Sequence, residues 1–230
     1  MRINGFQKMT LLDYPGKLAC TVFTSGCNMR CPFCHNAFLV TQIDLSEEFE
    51  QEDILSYIRK RRGVLDGVCV TGGEPLLHRD AVDFLMRLKE TGISVKLDTN
   101  GTFPERLRQA VEQRAVDYVA MDIKNSKGKY PETVGVPGFD ISQVEESVAY
   151  LLSGAVDFEF RTTVVKQFHL LEDINDIAAW IKGAPRYFLQ CFKDSGNLIG
   201  EGMEGVDEAQ MKAFRDTARR YVPETEIRGL

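Results

Sequence analysis

Short runs of β-branched and other apolar residues alternate along the chain with longer segments in which apolar positions recur every three to four residues. The first pattern predicts strands and the second amphipathic helices, so their alternation predicts strand–helix units around a parallel sheet. Strands are expected at 19–24, 67–71, 94–98, 118–123, 158–165 and 187–191. Helices are expected at 52–61, 80–90, 104–113, 142–152 and 174–182, with a final one at 207–221. In the second of these, Val82, Leu85, Met86 and Leu88 supply the apolar face. A closed eight-fold barrel takes about 250 residues, so six units predict an α/β fold of another kind, a partial parallel (β/α)6 barrel in a single domain over 1–230. Residues 1–17 read as a short strand pair covering one end of the sheet and ending in the turn Tyr14-Pro15-Gly16. The connection 125–140, rich in Gly, Pro and Lys, is expected to be a mobile loop able to serve as a lid.

Composition narrows the function classes. The 230 residues are 43% hydrophobic and 27% charged, enough for one large core without disulfides. No apolar run is long enough to cross a bilayer, and the opening Met-Arg-Ile-Asn-Gly-Phe lacks a secretory pattern, so a cytoplasmic protein with no membrane partner is expected. A net charge of -6 argues against a nucleic-acid partner, which needs a concentrated basic field. The one short basic run, 59–62, reads as a solvated helix end.

The cysteines change the picture most. Three of the six, Cys27, Cys31 and Cys34, fall within eight residues, and in a reducing compartment such clustering favours metal over disulfides. Cys20, Cys69 and Cys191 lie in apolar strand-like runs and read as buried thiols. The run Ser25-Gly26-Cys27-Asn28-Met29-Arg30-Cys31-Pro32-Phe33-Cys34-His35-Asn36 leaves the first barrel strand at its carboxyl end, where such folds place their sites. Thiolates at this spacing suit structural zinc, with His35 as a fourth ligand, but no second ligand pair follows. Three thiolates without a fourth also suit a four-iron cluster with one iron open to an exogenous ligand.

With Phe33 directly before the third cysteine, this run resembles the signature of the radical S-adenosylmethionine (radical SAM) superfamily. The resemblance implies a [4Fe–4S] cluster on Cys27, Cys31 and Cys34 and S-adenosylmethionine chelating the open iron. An electron from the cluster then breaks the S–C5′ bond to give a 5′-deoxyadenosyl radical, and no catalytic side chain is implied beyond cluster and cofactor. By position, Phe33 lies along the adenine. Downstream, Thr71-Gly72-Gly73-Glu74-Pro75 carries a double glycine that lets backbone approach a ligand closely. It resembles the superfamily segment that bonds the methionine ammonium, with Gly73 and Glu74 nearest.

Leu97-Asp98-Thr99-Asn100-Gly101 and Ala120-Met121-Asp122-Ile123-Lys124 each place two polar side chains at period two at a strand end. They resemble the glycyl-radical-enzyme activating enzymes, in which the matching aspartates lie near the methionine carboxylate, in some members through a monovalent cation, and the matching lysine contacts the cofactor. Asp98, Thr99, Asp122 and Lys124 are carried over on that basis. Arg161 and Gln190 are read as further pocket residues, with a charge snorkelling from its strand as the alternative for Arg161. Gly5-Phe6-Gln7-Lys8, Asp13-Tyr14-Pro15-Gly16-Lys17 and the cysteine run with His35-Asn36 are similar to activating proteins of anaerobic ribonucleoside-triphosphate reductase.

The implied partners are therefore a glycyl radical enzyme, most like that reductase, and a flavodoxin or ferredoxin reductant. Where pyruvate formate-lyase activators have a cofactor-contacting histidine, this chain reads Leu189-Gln190-Cys191-Phe192, and no cysteine-rich insertion for further clusters follows the first. Two alternatives remain at this level: a radical SAM enzyme acting on a small molecule or another peptide, and a non-catalytic zinc or electron-transfer protein.

Overall fold

The computed structural model describes all residues except Leu45, Glu47 and Ser195. Among the described residues, eight strands form one sheet in sequence order, from β1 (Ile3–Thr10) and β2 (Ala19–Thr24) through β3 (Gly67–Gly72), β4 (Ser94–Thr99) and β5 (Tyr118–Asp122) to β6 (Asp157–Val164), β7 (Tyr187–Cys191) and β8 (Thr225–Arg228). β1 runs antiparallel to β2, and every later neighbour pair is parallel. The first and last strands do not pair, so the barrel is open. Parallel strands covered on both faces read as nearly unbroken burial. β2, β3 and β5 do so, and their sequence boundaries were correspondingly well marked.

Eight helices occur among the described residues: α1 (Ala37–Thr41), α2 (Gln51–Lys60), α3 (Ala81–Glu90), α4 (Pro104–Glu112), α5 (Tyr130–Thr133), α6 (Ser142–Leu152), α7 (Leu171–Trp180) and α8 (Glu208–Ala218). α3 buries Val82, Phe84, Leu85 and Leu88, whereas Met86, assigned to its apolar face, points outward. No helix among the described residues is long and apolar enough to cross a membrane.

Several expectations are corrected. The six expected strand–helix units are present, and one further parallel strand, β8, follows the final helix and pairs with β7. Residues 1–17 give one strand instead of two, followed by a turn in which Lys17 N–H donates to Tyr14 O at 3.2 Å. The segment 125–140 is not a bare loop. It contains a 3-10 turn (Lys127–Lys129) and α5, and buries Asn125, Tyr130, Thr133 and Val134. It also docks on the cysteine run, where Arg30 N–H donates to Val134 O at 2.8 Å. Cys20 and Cys69 are buried as expected, but Cys191 is half-buried at the end of its strand.

The barrel interior is polar. Strand alternation turns Lys96 and Asp98 inward from β4, Asp122 from β5, Glu159 and Arg161 from β6, and Gln190 and Arg228 from β7 and β8. Arg228 reaches from the last position of β8 toward the starts of β5 and β6, where it holds Glu159 in a two-pronged ion pair at 2.7 and 3.0 Å and Tyr118 donates to the same carboxylate at 2.8 Å. Its guanidinium lies 3.3 Å above the Phe188 ring. This group floors the barrel and leaves the carboxyl-terminal end as the open one.

Candidate active site

At that open end lies a cavity of about 210 Å³. The run following β2 contributes Cys27, Cys31, Phe33 and Cys34 to its lining. The ends of β3 to β7 contribute Gly72 and Gly73, Asp98 and Thr99, Asp122 and Lys124, Arg161, and Gln190. Of the residues singled out from sequence, all but Glu74 therefore face one space.

The cysteine run is held from below. Gly73 N–H donates to Thr24 O and Glu74 N–H to Gly26 O, both at 2.8 Å. A Cβ on Gly73 would stand 2.1 Å from Gly26 O, and one on Gly72, whose φ is +117°, would stand 2.3 Å from Thr24 O. The double glycine thus serves first to let β3 approach the base of the cysteine run, beyond any approach to a ligand. Asn36 donates to Gly72 O at 3.0 Å and closes the other side of this seam.

Glu74 explains the seam's rigidity. Its carboxylate is fully buried beneath the cavity wall and accepts from the Thr99 hydroxyl at 2.8 Å, Asn100 N–H at 2.6 Å and Leu76 N–H at 3.0 Å. Burial pushes its pKa from 4.5 up to about 7, against the lowering effect of those three donors. Its side chain therefore joins the ends of β3 and β4 from outside the lining. Asn100 carries the linkage on: its amide donates to Asn28 Oδ1 at 3.0 Å and lies 3.7 Å from Cys27 Sγ.

The three thiols share one wall without converging on a point. Among the described residues, no three His, Cys, Asp or Glu side chains are arranged around a single metal ion. Burial pushes Cys27 up to about 11 and Cys31 up to about 12, so both are thiols until a metal displaces their protons. Phe33 packs against Phe168 with ring centroids 5.7 Å apart. His35 also lines the cavity, where its ring stacks on Phe192 and its Nε2 meets Lys193 O at 2.8 Å.

The facing wall is an ion cluster. Arg161 Nε donates to Asp122 at 2.9 Å and Nη1 to Asp98 at 3.0 Å. Lys124 donates to Asp122 at 3.0 Å, and Lys96 donates to Asp98. Burial pushes Asp122 up, but Arg161 and Lys124 outweigh it and hold the carboxyl at about 2. Asp98 is likewise lowered, by Arg161 and Lys96 acting against burial. Burial also opposes the charge on Lys124, and Asp122 more than restores it. Arg161 bridges two aspartates from neighbouring strands instead of snorkelling outward. Lys96 was missed from sequence; the period-two spacing of Lys96, Asp98 and Asn100 was the available signal.

Residues 21–181 match the radical SAM superfamily, and the chain belongs to it. Members of that superfamily are enzymes that use a [4Fe–4S] cluster and S-adenosylmethionine. Over 99% of its length the chain is 32% identical to a protein of Methanocaldococcus jannaschii assigned by name to the glycyl-radical enzyme activating enzymes, covering 96% of that protein. It is also 32% identical to the pyruvate formate-lyase-activating enzyme of Clostridium pasteurianum, across 54% of this chain and 52% of that one. Streptococcus suis SuiB bound to S-adenosylmethionine shares the fold with a TM-score of 0.70 at 16% identity, over 90% of this chain and 49% of SuiB. The chain is thus a radical SAM enzyme related over its whole length to the glycyl-radical-enzyme activating enzymes.

Proposed function

We propose that this enzyme generates a glycyl radical on a partner protein, an anaerobic ribonucleoside-triphosphate reductase. The carrying observation is one cavity with three thiols on one wall and the Asp98–Arg161–Asp122–Lys124 cluster on the other. The donor set fits the family's cofactors: Cys27, Cys31 and Cys34 would hold a [4Fe–4S] cluster and leave one iron for S-adenosylmethionine. When bound, the cluster supplies the electron that cleaves the cofactor. The protein's own groups bind and orient. Phe33 would line the adenine, the Gly73 backbone would receive the methionine ammonium, and Glu74 would act by fixing that backbone. Lys124 and Arg161 set positive charge where the methionine carboxylate enters, held in place by Asp98 and Asp122, while Thr99 and Gln190 complete the wall.

A protein substrate is supported by the open barrel end, beside which Phe38, Leu170 and Leu171 follow the ends of β2 and β6 as exposed apolar side chains. Flavodoxin or ferredoxin, in the cytoplasm, is the proposed reductant. Mixing the reduced enzyme with S-adenosylmethionine and an anaerobic ribonucleoside-triphosphate reductase tests the reading. A glycine-centred paramagnetic resonance signal and a comparable amount of 5′-deoxyadenosine are expected. Cofactor cleavage without that signal in this or any other glycyl radical enzyme would replace the protein substrate with a small molecule or another peptide.

A further inference from the structure

Lys96 is a lysine in the middle of a buried strand, its side chain 2% exposed. It shares the inward face of β4 with Asp98, donates to Asp98 Oδ1, and stands 3.7 Å from Cys69 Sγ at the register position opposite on β3. Arg161 Nη1 takes Asp98 Oδ2, Arg161 Nε takes Asp122 Oδ1, and Lys124 takes Asp122 Oδ2. Each of the four carboxylate oxygens therefore faces a cationic N–H. Three cations against two carboxylates leave one positive charge in excess, directed at a cavity proposed to receive a carboxylate.

A monovalent cation beside these aspartates, implied by resemblance to some activating enzymes, does not fit this arrangement. Such an ion is held by the negative charge of carboxylate oxygens, and here each of the four already faces a cationic N–H, so the aspartates have no net charge left to offer it. It would also raise the excess to two charges in a buried site, where like charges repel with little screening. We propose that Lys96 is a built-in cation, so that this chain binds S-adenosylmethionine without Na+ or K+. The ammonium is carried by its own strand and present in every molecule, whereas a bound ion follows its concentration. Arg161 can then span both aspartates, because Lys96 satisfies the oxygen that Arg161 leaves.

The inference rests on placing S-adenosylmethionine in this cavity, and the experiment separates the two. Affinity of the cluster-loaded enzyme for labelled S-adenosylmethionine is measured by equilibrium dialysis with and without K+ or Na+, tetramethylammonium holding ionic strength constant. Wild type should bind equally well in both. Lys96→Met should bind weakly without K+ and recover by about tenfold with it, the stranded Asp98 oxygen now accepting the ion. Lys96→Arg keeps the charge and should show no K+ effect. Thallous ion, a K+ probe seen directly by 205Tl resonance, should bind Lys96→Met and not wild type.

A K+-dependent wild type, or one thallous ion bound per wild-type chain, overturns the proposal. So does a Lys96→Met protein that folds, binds weakly and gains nothing from K+. If Lys96→Met fails to fold, the wild-type dialysis and thallium measurements still decide. Failure of wild type to bind S-adenosylmethionine under any ion condition overturns the cofactor placement instead, and is distinguishable because the thallium result stands without the cofactor.

Discussion

Replacing Glu74 by Gln removes a charge that the fold buries without a cation beside it. The native carboxyl titrates at about 7 against 4.5 unperturbed, so the folded protein holds the proton more tightly than the unfolded chain does. Stability contributed by that proton is present in full below 4.5 and is lost as pH rises toward 7. Working the linkage through for these two values, wild type loses about 2–3 kcal/mol between pH 5 and pH 8 on account of this one group. Full burial means that solvent screening removes none of it. Glu74→Gln has no such titration. It instead carries a constant penalty of about 1–3 kcal/mol, because its amide nitrogen would face a backbone donor, Asn100 N–H, where an oxygen now accepts. Urea unfolding of the cluster-free protein at pH 5 and pH 8 gives the test as a difference of differences. The stability gap between wild type and variant should move by about 2–3 kcal/mol in favour of the variant as pH rises. Curves that stay parallel across that range would refute the buried-charge account of Glu74.

Gly73→Ala should lower iron content and stability together, since its Cβ meets backbone at 2.1 Å and must break the two 2.8 Å bonds that seat the cysteine run; full iron loading with an unchanged Tm would show the seam to be pliable. Cys31→Ala should abolish the iron absorption while Cys69→Ala, buried away from the cavity, keeps it, and equal losses would undo the ligand assignment. Arg228→Met should cost about 3 kcal/mol in unfolding experiments by stranding the fully buried Glu159, whereas the Glu159→Gln/Arg228→Met pair should recover part of it.

How far the sequence could be read follows from where each residue's partner lies. β2, β7 and α6 were bounded correctly because their own residues carry the signal, as β-branched runs or as a helical stripe. β8 was not, because Thr225-Glu226-Ile227-Arg228 is short and largely polar, and becomes a strand only through β7 beside it. The cavity residues were legible because they sit at strand ends, which the fold gathers to one place. Their pairings were not. Asp98 and Arg161 are 63 positions apart, and nothing short of the strand register reveals that one guanidinium spans two aspartates. Lys96 gives no signal by itself because a lysine on a strand ordinarily faces water, and Glu74, placed near the methionine ammonium by resemblance, has its partners Thr99 and Asn100 on the next strand.

The bonds around the cavity are unevenly shared. On one flank, β2, β3 and β4 are clamped by Glu74, Asn100, Asn28, Asn36 and paired backbone bonds. On the other, the stretch after β7 is tethered to the cysteine run by Gly200 N–H on Pro32 O and His35 on Lys193 O, each at 2.8 Å. The same stretch is also bonded to the segment after β6, where Lys166 N–H donates to Glu204 O at 2.9 Å and Gln167 donates to Gly202 O at 2.8 Å. Outward displacement of that stretch would pull on Pro32 and His35, on either side of Cys34, so motion on this flank of the mouth reaches the thiols directly.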